Sequence, residues 1–179
     1  MLVVAATERE LAHVRGADTF TCGIGPVEAA LQTARAIAER RPDAVLHVGI
    51  AGGRGLAVGT VAIGGRAVYD DLAAAVRLER SLEPDPQLLA AARRALPAAP
   101  VVEIATSGGV FRSTDAPVEA MEGFGVLRAA ALQGVPALEL RAVSKAVGEQ
   151  DRARWDISGA LAALGDAGRR VLAELGEAR

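Results

Sequence analysis

Ala44-Val45-Leu46-His47-Val48-Gly49-Ile50 runs into Ala51-Gly52-Gly53-Arg54-Gly55. A short, mostly apolar run closed by a glycine cluster reads as a strand over residues 44–50, stopped at its exit by the glycines. Residues 2–6 form another continuous apolar run, as expected of a strand buried on both faces. Further strands are expected at residues 19–23, 101–106 and 137–144, with a strand or hairpin at 58–68 interrupted by Gly64-Gly65. Between them lie stretches with helical spacing. Residues 8–14 place Leu11 and Val14 inward. A helix starting at Gly25-Pro26 has proline at its first position, where a missing N–H costs nothing. Val27, Ala30, Leu31, Ala34, Ile37 and Ala38 recur at the spacing of one buried helical face. Helices are also expected at residues 86–96, 117–133 and 157–175. Strands alternating with helices give an α/β fold with a mainly parallel sheet covered on both faces.

The 179 residues carry neither an internal repeat nor a low-complexity linker, so residues 1–179 are expected to form one domain. Hydrophobic residues make up 51% and aromatics only 3%, so the core must be aliphatic. The net charge of −2 is spread along the chain, with no basic stripe to meet a phosphate backbone; nucleic acid is not an expected partner. Cys22 is the single cysteine, so no internal disulfide is possible. With His13, His47 and Cys22 far apart in sequence, no metal site is expected. The opening residues lack the basic lead-in and long apolar region of a signal peptide, and no run is long enough to span a bilayer. The chain is expected to be soluble and cytoplasmic.

Ligands of an open α/β sheet bind beyond the carboxyl ends of the strands. Candidate chemistry falls there: Glu8 and Glu10, Ala51–Gly53 as numbered 51–53, residues 107–111, and Ser144-Lys145. Gly23-Ile24-Gly25-Pro26-Val27-Glu28 is not a dinucleotide fingerprint, because Glu28 occupies the third glycine position. It reads as a turn before a helix. Ala51-Gly52-Gly53 fits a close ligand approach or simply a tight strand exit. Glu8 and Glu10 fit a water-activating base or charges complementing a helix dipole. Met121-Glu122 reads as a carboxylate beside a flat apolar group early in a helix, able to accept a sugar diol, or as a solvent-facing first-turn glutamate. Lys145 is a candidate donor or a surface lysine. Arg152, Arg154 and Trp155 fit a helix-entry cap or a carboxylate clamp.

Five segments together resemble one enzyme superfamily. They are Val3-Val4-Ala5-Ala6-Thr7-Glu8-Arg9-Glu10, Gly23-Ile24-Gly25-Pro26-Val27, Val48-Gly49-Ile50-Ala51-Gly52-Gly53, Val118-Glu119-Ala120-Met121-Glu122-Gly123, and Leu140-Arg141-Ala142-Val143-Ser144 with residues 147–157. The chain is similar to the purine nucleoside phosphorylases and nucleosidases, and in particular to the futalosine hydrolases of the futalosine route to menaquinone. Gly148-x-x-Asp151-Arg152-x-x-Trp155-x-Ile157 marks the latter. The resemblance implies a nucleoside phosphorylase-like three-layer fold, cleavage of futalosine to hypoxanthine and dehypoxanthine futalosine, no cofactor and a homodimer.

The resemblance also implies roles. Glu10 would activate water. Glu122 would take the 2′ and 3′ hydroxyls of ribose, with Met121 packed on the sugar. Phe111 would stack on the purine, Ala51 and Gly52 would line sugar and base, and Ser144 and Lys145 would face N7 and O6. Arg152 or Arg154 would meet the carboxybenzoyl end. Adenine-specific relatives carry Asp at the position of Lys145, and a lysine, which only donates, suits a carbonyl at C6 better than an amino group. Ile50 and Glu10 replace phosphate-holding features, which favours hydrolysis over phosphorolysis. The chain is short for the superfamily around residues 69–86 and 111–117. The alternatives are a methylthioadenosine/S-adenosylhomocysteine nucleosidase and a catalytically weakened nucleoside-binding relative.

Overall fold

A computed structural model describes residues 1–14, 17–72, 78–109 and 114–177 of the chain. Strand β1 (Leu2–Ala5) leads to the short helix α1 (Glu8–Leu11), β2 (Asp18–Thr21), α2 (Pro26–Arg40) and β3 (Val45–Gly53). There follow β4 (Val61–Tyr69), β5 (Ser81–Leu82), α3 (Pro86–Ala95), β6 (Val101–Thr106) and β7 (Val118–Ala120). Helix α4 (Gly123–Leu132), β8 (Ala137–Ala146), a 3-10 turn (Arg152–Arg154) and α5 (Ile157–Glu177) complete the order.

The sheet is mixed but mainly parallel, as alternating strands and helices require. Parallel pairs are β1–β2, β1–β3, β3–β8, β4–β6 and β6–β7, and antiparallel pairs are β3–β7, β4–β5 and β4–β8. Because β8 pairs with both β3 and β4, the strands β3, β7, β6, β4 and β8 close on themselves. Strand alternation sends successive side chains to opposite faces. Val3, Ala5, Leu46, Val48, Leu138 and Leu140 pack with Leu88 of α3 and with Leu164 and Val171 of α5. Leu2, Val4 and Val45 pack on the other side with Ala29, Ala36 and Ile37 of α2 and Phe124 and Leu127 of α4. A third cluster gathers Ala51 of β3, Ala62 of β4, Ile104 of β6 and Val118 and Ala120 of β7.

Four expectations are corrected. The buried side of α2 is Ala29, Thr33, Ala36 and Ile37, whereas Val27 and Leu31 are 67% and 64% exposed. The reason is close helix packing. Gly125 of α4 lies so near Pro26 that an added Cβ would stand 2.5 Å from its carbonyl oxygen, so α2 turns its small residues toward α4. Met121-Glu122 is not inside a helix. Val118–Ala120 is a strand, Glu122 is the N-cap of α4, and the helix begins at Gly123. Strand β3 does not stop at Ile50 but continues through Gly53, with a register shift between Ala51 and Gly52. Gly64-Gly65 does not divide β4, which stays one strand with a shift in its pairing to β6. The turn reading of Gly23 and Gly25 agrees with their positive φ of 82° and 93°.

Candidate active site

The ends of β1, β3, β7 and β8 open into a cavity of about 780 Å³, the size range of small-molecule sites. Glu10, Ala51, Gly52, Met121, Glu122, Ser144, Lys145 and Arg152 all line it. Residues drawn from separate stretches of the sequence therefore meet in one place.

Glu10 is buried, while Glu8 one position behind the cap is exposed. A capping box explains how α1 buries a carboxylate. Thr7 Oγ1 accepts from the Glu10 N–H at 3.4 Å, and Glu10 Oε2 accepts from Thr7 N at 3.0 Å and Thr7 Oγ1 at 2.8 Å. Glu10 Oε1 accepts from the backbone N–H of Ile50 at 3.0 Å, which ties α1 to β3. A carboxylate offers roughly four lone-pair sites, and these donors engage three of them. The remaining one belongs to Oε1.

Glu122 reaches the cavity from the start of α4. Its Oε1 accepts from Gly25 N at 3.1 Å and its Oε2 lies 3.6 Å from Arg141 Nη2. Burial raises its pKa from the ordinary carboxylate value, and the Arg141 charge works against that rise. Arg141 is itself fully buried on β8, where Nε donates to Glu139 Oε1 at 2.7 Å and Nη2 contacts His47 Nε2 at 2.5 Å. Burial likewise raises the Glu139 pKa against the pull of Arg141. His47 Nδ1 stands 3.0 Å from the Val4 carbonyl and must donate to it, so Nε2 is the acceptor for Arg141. The imidazole is therefore neutral. Burial and the neighbouring guanidinium hold its pKa well below 6.5.

Strand register builds this cluster. His47 and Gly49 on β3 lie opposite Glu139 and Arg141 on β8. Period-two alternation puts all four on the side covered by α2 and α4. A Cβ on Gly49 would overlap Arg141 Nη1, and one on Gly123 would overlap the Glu139 carboxylate. Glycines here provide the space that two buried charges occupy. Glu139, Arg141 and His47 are not among the site residues expected from the sequence; their legible signal is a pair of opposite charges two positions apart in an otherwise apolar strand.

The Lys145 ammonium, also in the cavity wall, pairs with Glu119, both being about 2% exposed. Lys145 Nζ also lies 5.2 Å from the ring centre of Trp155, which Arg152 approaches from 5.5 Å. Lys145 is thus not a solvated surface lysine. Ser144 Oγ donates to the Ala51 carbonyl at 3.2 Å. Arg154 does not line the cavity; it is exposed and paired with Glu149 and Asp151, because the 3-10 turn points it outward. Phe111 lies outside the described residues. Among the described residues no group of three His, Cys, Asp or Glu side chains could hold a metal, and no helix is long and apolar enough to cross a membrane.

The chain matches the family model of the phosphorylase superfamily over residues 19–175. It is 38% identical to the futalosine hydrolase of Streptomyces coelicolor, over 85% of this chain and 77% of that relative. Its fold matches a methylthioadenosine/S-adenosylhomocysteine nucleosidase of Colwellia psychrerythraea in complex with adenine (TM-score 0.85, 20% identity, 97% of this chain and 94% of that one). A mutant futalosine hydrolase of Helicobacter pylori also matches (TM-score 0.85, 17% identity, 99% and 98%). These structures share the fold, and the sequence match spans most of both chains. On that ground the chain belongs to the futalosine hydrolase family of the phosphorylase superfamily.

Proposed function

We propose that this chain hydrolyses the N-glycosidic bond of futalosine, releasing hypoxanthine and dehypoxanthine futalosine, as a cytoplasmic step of menaquinone biosynthesis. The observation that carries the reading is that Glu10, Glu122 and Lys145 line one cavity. Loss of a purine from ribose passes through an oxocarbenium-like state that needs negative charge near the sugar and a positioned water. Glu10 takes a proton from that water, whose oxygen bonds to C1′. The C1′–N9 electron pair leaves with the base, which takes a proton at N7 from solvent water, and Glu10 afterwards returns the proton it accepted to solvent. A positioned carboxylate base contributes about 10²–10⁴-fold.

Glu122 accepts the ribose hydroxyls, with Met121 against the sugar and Ala51 and Gly52 beneath it. Ser144 faces the imidazole edge of the purine, and Lys145 donates toward O6. Arg152, exposed beside the cavity, meets the carboxylate of the carboxybenzoyl group. A homodimer completes the site: Ile24 lines the cavity and continues outward into the exposed Val27 and Leu31 of α2. A second copy covers this stripe.

Incubation with futalosine, with and without phosphate, followed by chromatography tests the proposal. Free hypoxanthine at equal rates in both is the expected result. Dependence on phosphate, or rapid adenine release from methylthioadenosine instead, overturns it.

A further inference from the structure

Glu119 has no part in the chemistry described so far, yet it is built into the cavity wall. It lies on β7, opposite Gly52 of β3 in antiparallel register. A Cβ on Gly52 would stand 2.6 Å from Glu119 Oε1 and 2.9 Å from Lys145 Nζ, so this glycine leaves room for the ion pair over β3. Glu119 Oε1 accepts from Lys145 Nζ and from Gly148 N at 3.2 Å. Its Oε2 is buried and receives no hydrogen bond among the described residues. A buried carboxylate oxygen without a donor is costly. Glu119 lines the cavity, and the terminal torsion of a glutamate is broad, so a turn of the carboxylate plane presents this oxygen to a bound base, with the Lys145 ammonium following the paired oxygen.

We infer that Glu119 is a specificity residue: its Oε2 accepts the N1–H of a 6-oxopurine whose O6 receives Lys145. The inference rests on the reading that the cavity takes a purine nucleoside. A lysine only donates and a carboxylate only accepts. Set side by side, they complement the lactam edge of a 6-oxopurine, where a carbonyl acceptor adjoins an N–H donor. Adenine reverses both contacts, presenting amino hydrogens to the ammonium and the N1 lone pair to the carboxylate. Rejection by reversed polar contacts is far stronger than rejection by shape alone.

Equilibrium binding of hypoxanthine, 1-methylhypoxanthine and adenine to the wild-type protein and to Glu119→Gln tests this. In the variant two donors face the Oε1 position, so the amide turns its oxygen there and its NH2 to the Oε2 position. Wild type is expected to bind hypoxanthine at least tenfold more tightly than either other base. Glu119→Gln is expected to lose at least tenfold for hypoxanthine, to change little for 1-methylhypoxanthine and to gain for adenine. A uniform loss for all three bases, or an unchanged ranking, overturns the assignment, since a residue that merely holds Lys145 cannot invert adenine and hypoxanthine. Should the variant fail to fold, equal wild-type affinity for hypoxanthine and its 1-methyl derivative overturns it as well. Futalosine turnover is followed in parallel. Turnover with an unchanged ranking in the variant rejects Glu119 and keeps the substrate. The expected ranking without futalosine turnover rejects the substrate and keeps Glu119.

Discussion

The guanidinium of Arg141 meets Nε2 of His47 at 2.5 Å, deep beneath the candidate active site. Because Nδ1 is committed to the Val4 carbonyl, this contact requires a neutral ring, and it makes the fold sensitive to acid. An unfolded chain accepts a proton on His47 near pH 6.5, whereas the folded protein resists it to well below that value. Stability from this residue is therefore complete above about pH 6.5 and is lost as the pH falls, by about 1.4 kcal/mol per pH unit. Glu122 and Glu139 act in the opposite sense. Their raised values give stability at low pH that fades as the pH rises through the folded pKa. Comparing urea unfolding of wild type and His47→Gln from pH 8 to 5 separates the terms. The variant should be less stable overall but lack the acid-side slope; an equal slope in both would disprove the assignment.

Gly49→Ala should cost more than an ordinary glycine replacement in a strand. The new methyl group would overlap Arg141 Nη1, and the guanidinium cannot withdraw without abandoning Glu139 and His47. Disrupting a buried ion pair costs about 3–5 kcal/mol. A large drop in the urea midpoint with an unchanged slope is expected. A midpoint within experimental error of wild type would mean that the cluster relaxes freely.

Glu10→Gln separates chemistry from structure. The amide must turn its NH2 toward either Ile50 N–H or the Thr7 donors, losing at least one hydrogen bond. Stability should fall by about 1–3 kcal/mol. Turnover of futalosine should fall by about 10²–10⁴-fold, while hypoxanthine binding measured by calorimetry persists. Retained turnover would reassign the base.

Cys22 should be inert in the folded protein. Burial, with Glu122 nearby as the next cause, pushes its thiol up to about 12, so almost no thiolate exists at pH 8. Labelling with a thiol-specific disulfide reagent at pH 8 should be complete in denaturant and negligible without it. Rapid native labelling would show that the β2–α2 turn opens readily.

Much of the architecture was readable because it follows from local rules. Apolar runs at residues 2–6 and 101–106 became β1 and β6, and the proline-led starts at Pro26 and Pro86 became helix beginnings. Helix faces were less legible. Val27 and Leu31 satisfy the periodicity of a buried stripe, but the close approach of α4 selected Ala29, Thr33 and Ala36 instead. At Met121-Glu122, a strand of three residues and a new helix replaced one continuous helix, since β7 has to pair with both β3 and β6.

The sequence by itself determined the alternation of strands and helices, the aliphatic core and the family motifs that brought Glu10, Glu122 and Lys145 into view. These are properties of neighbouring residues and of spacing. Only the tertiary structure decided that Arg141 is neutralised by Glu139 and Glu122, that His47 is uncharged, and that Glu119 joins Lys145 in the cavity wall. Those outcomes depend on register between β3, β7 and β8. Charge pairing in a buried interior is set by distances of a few ångströms between residues far apart in the chain, and chain pattern alone does not specify such distances.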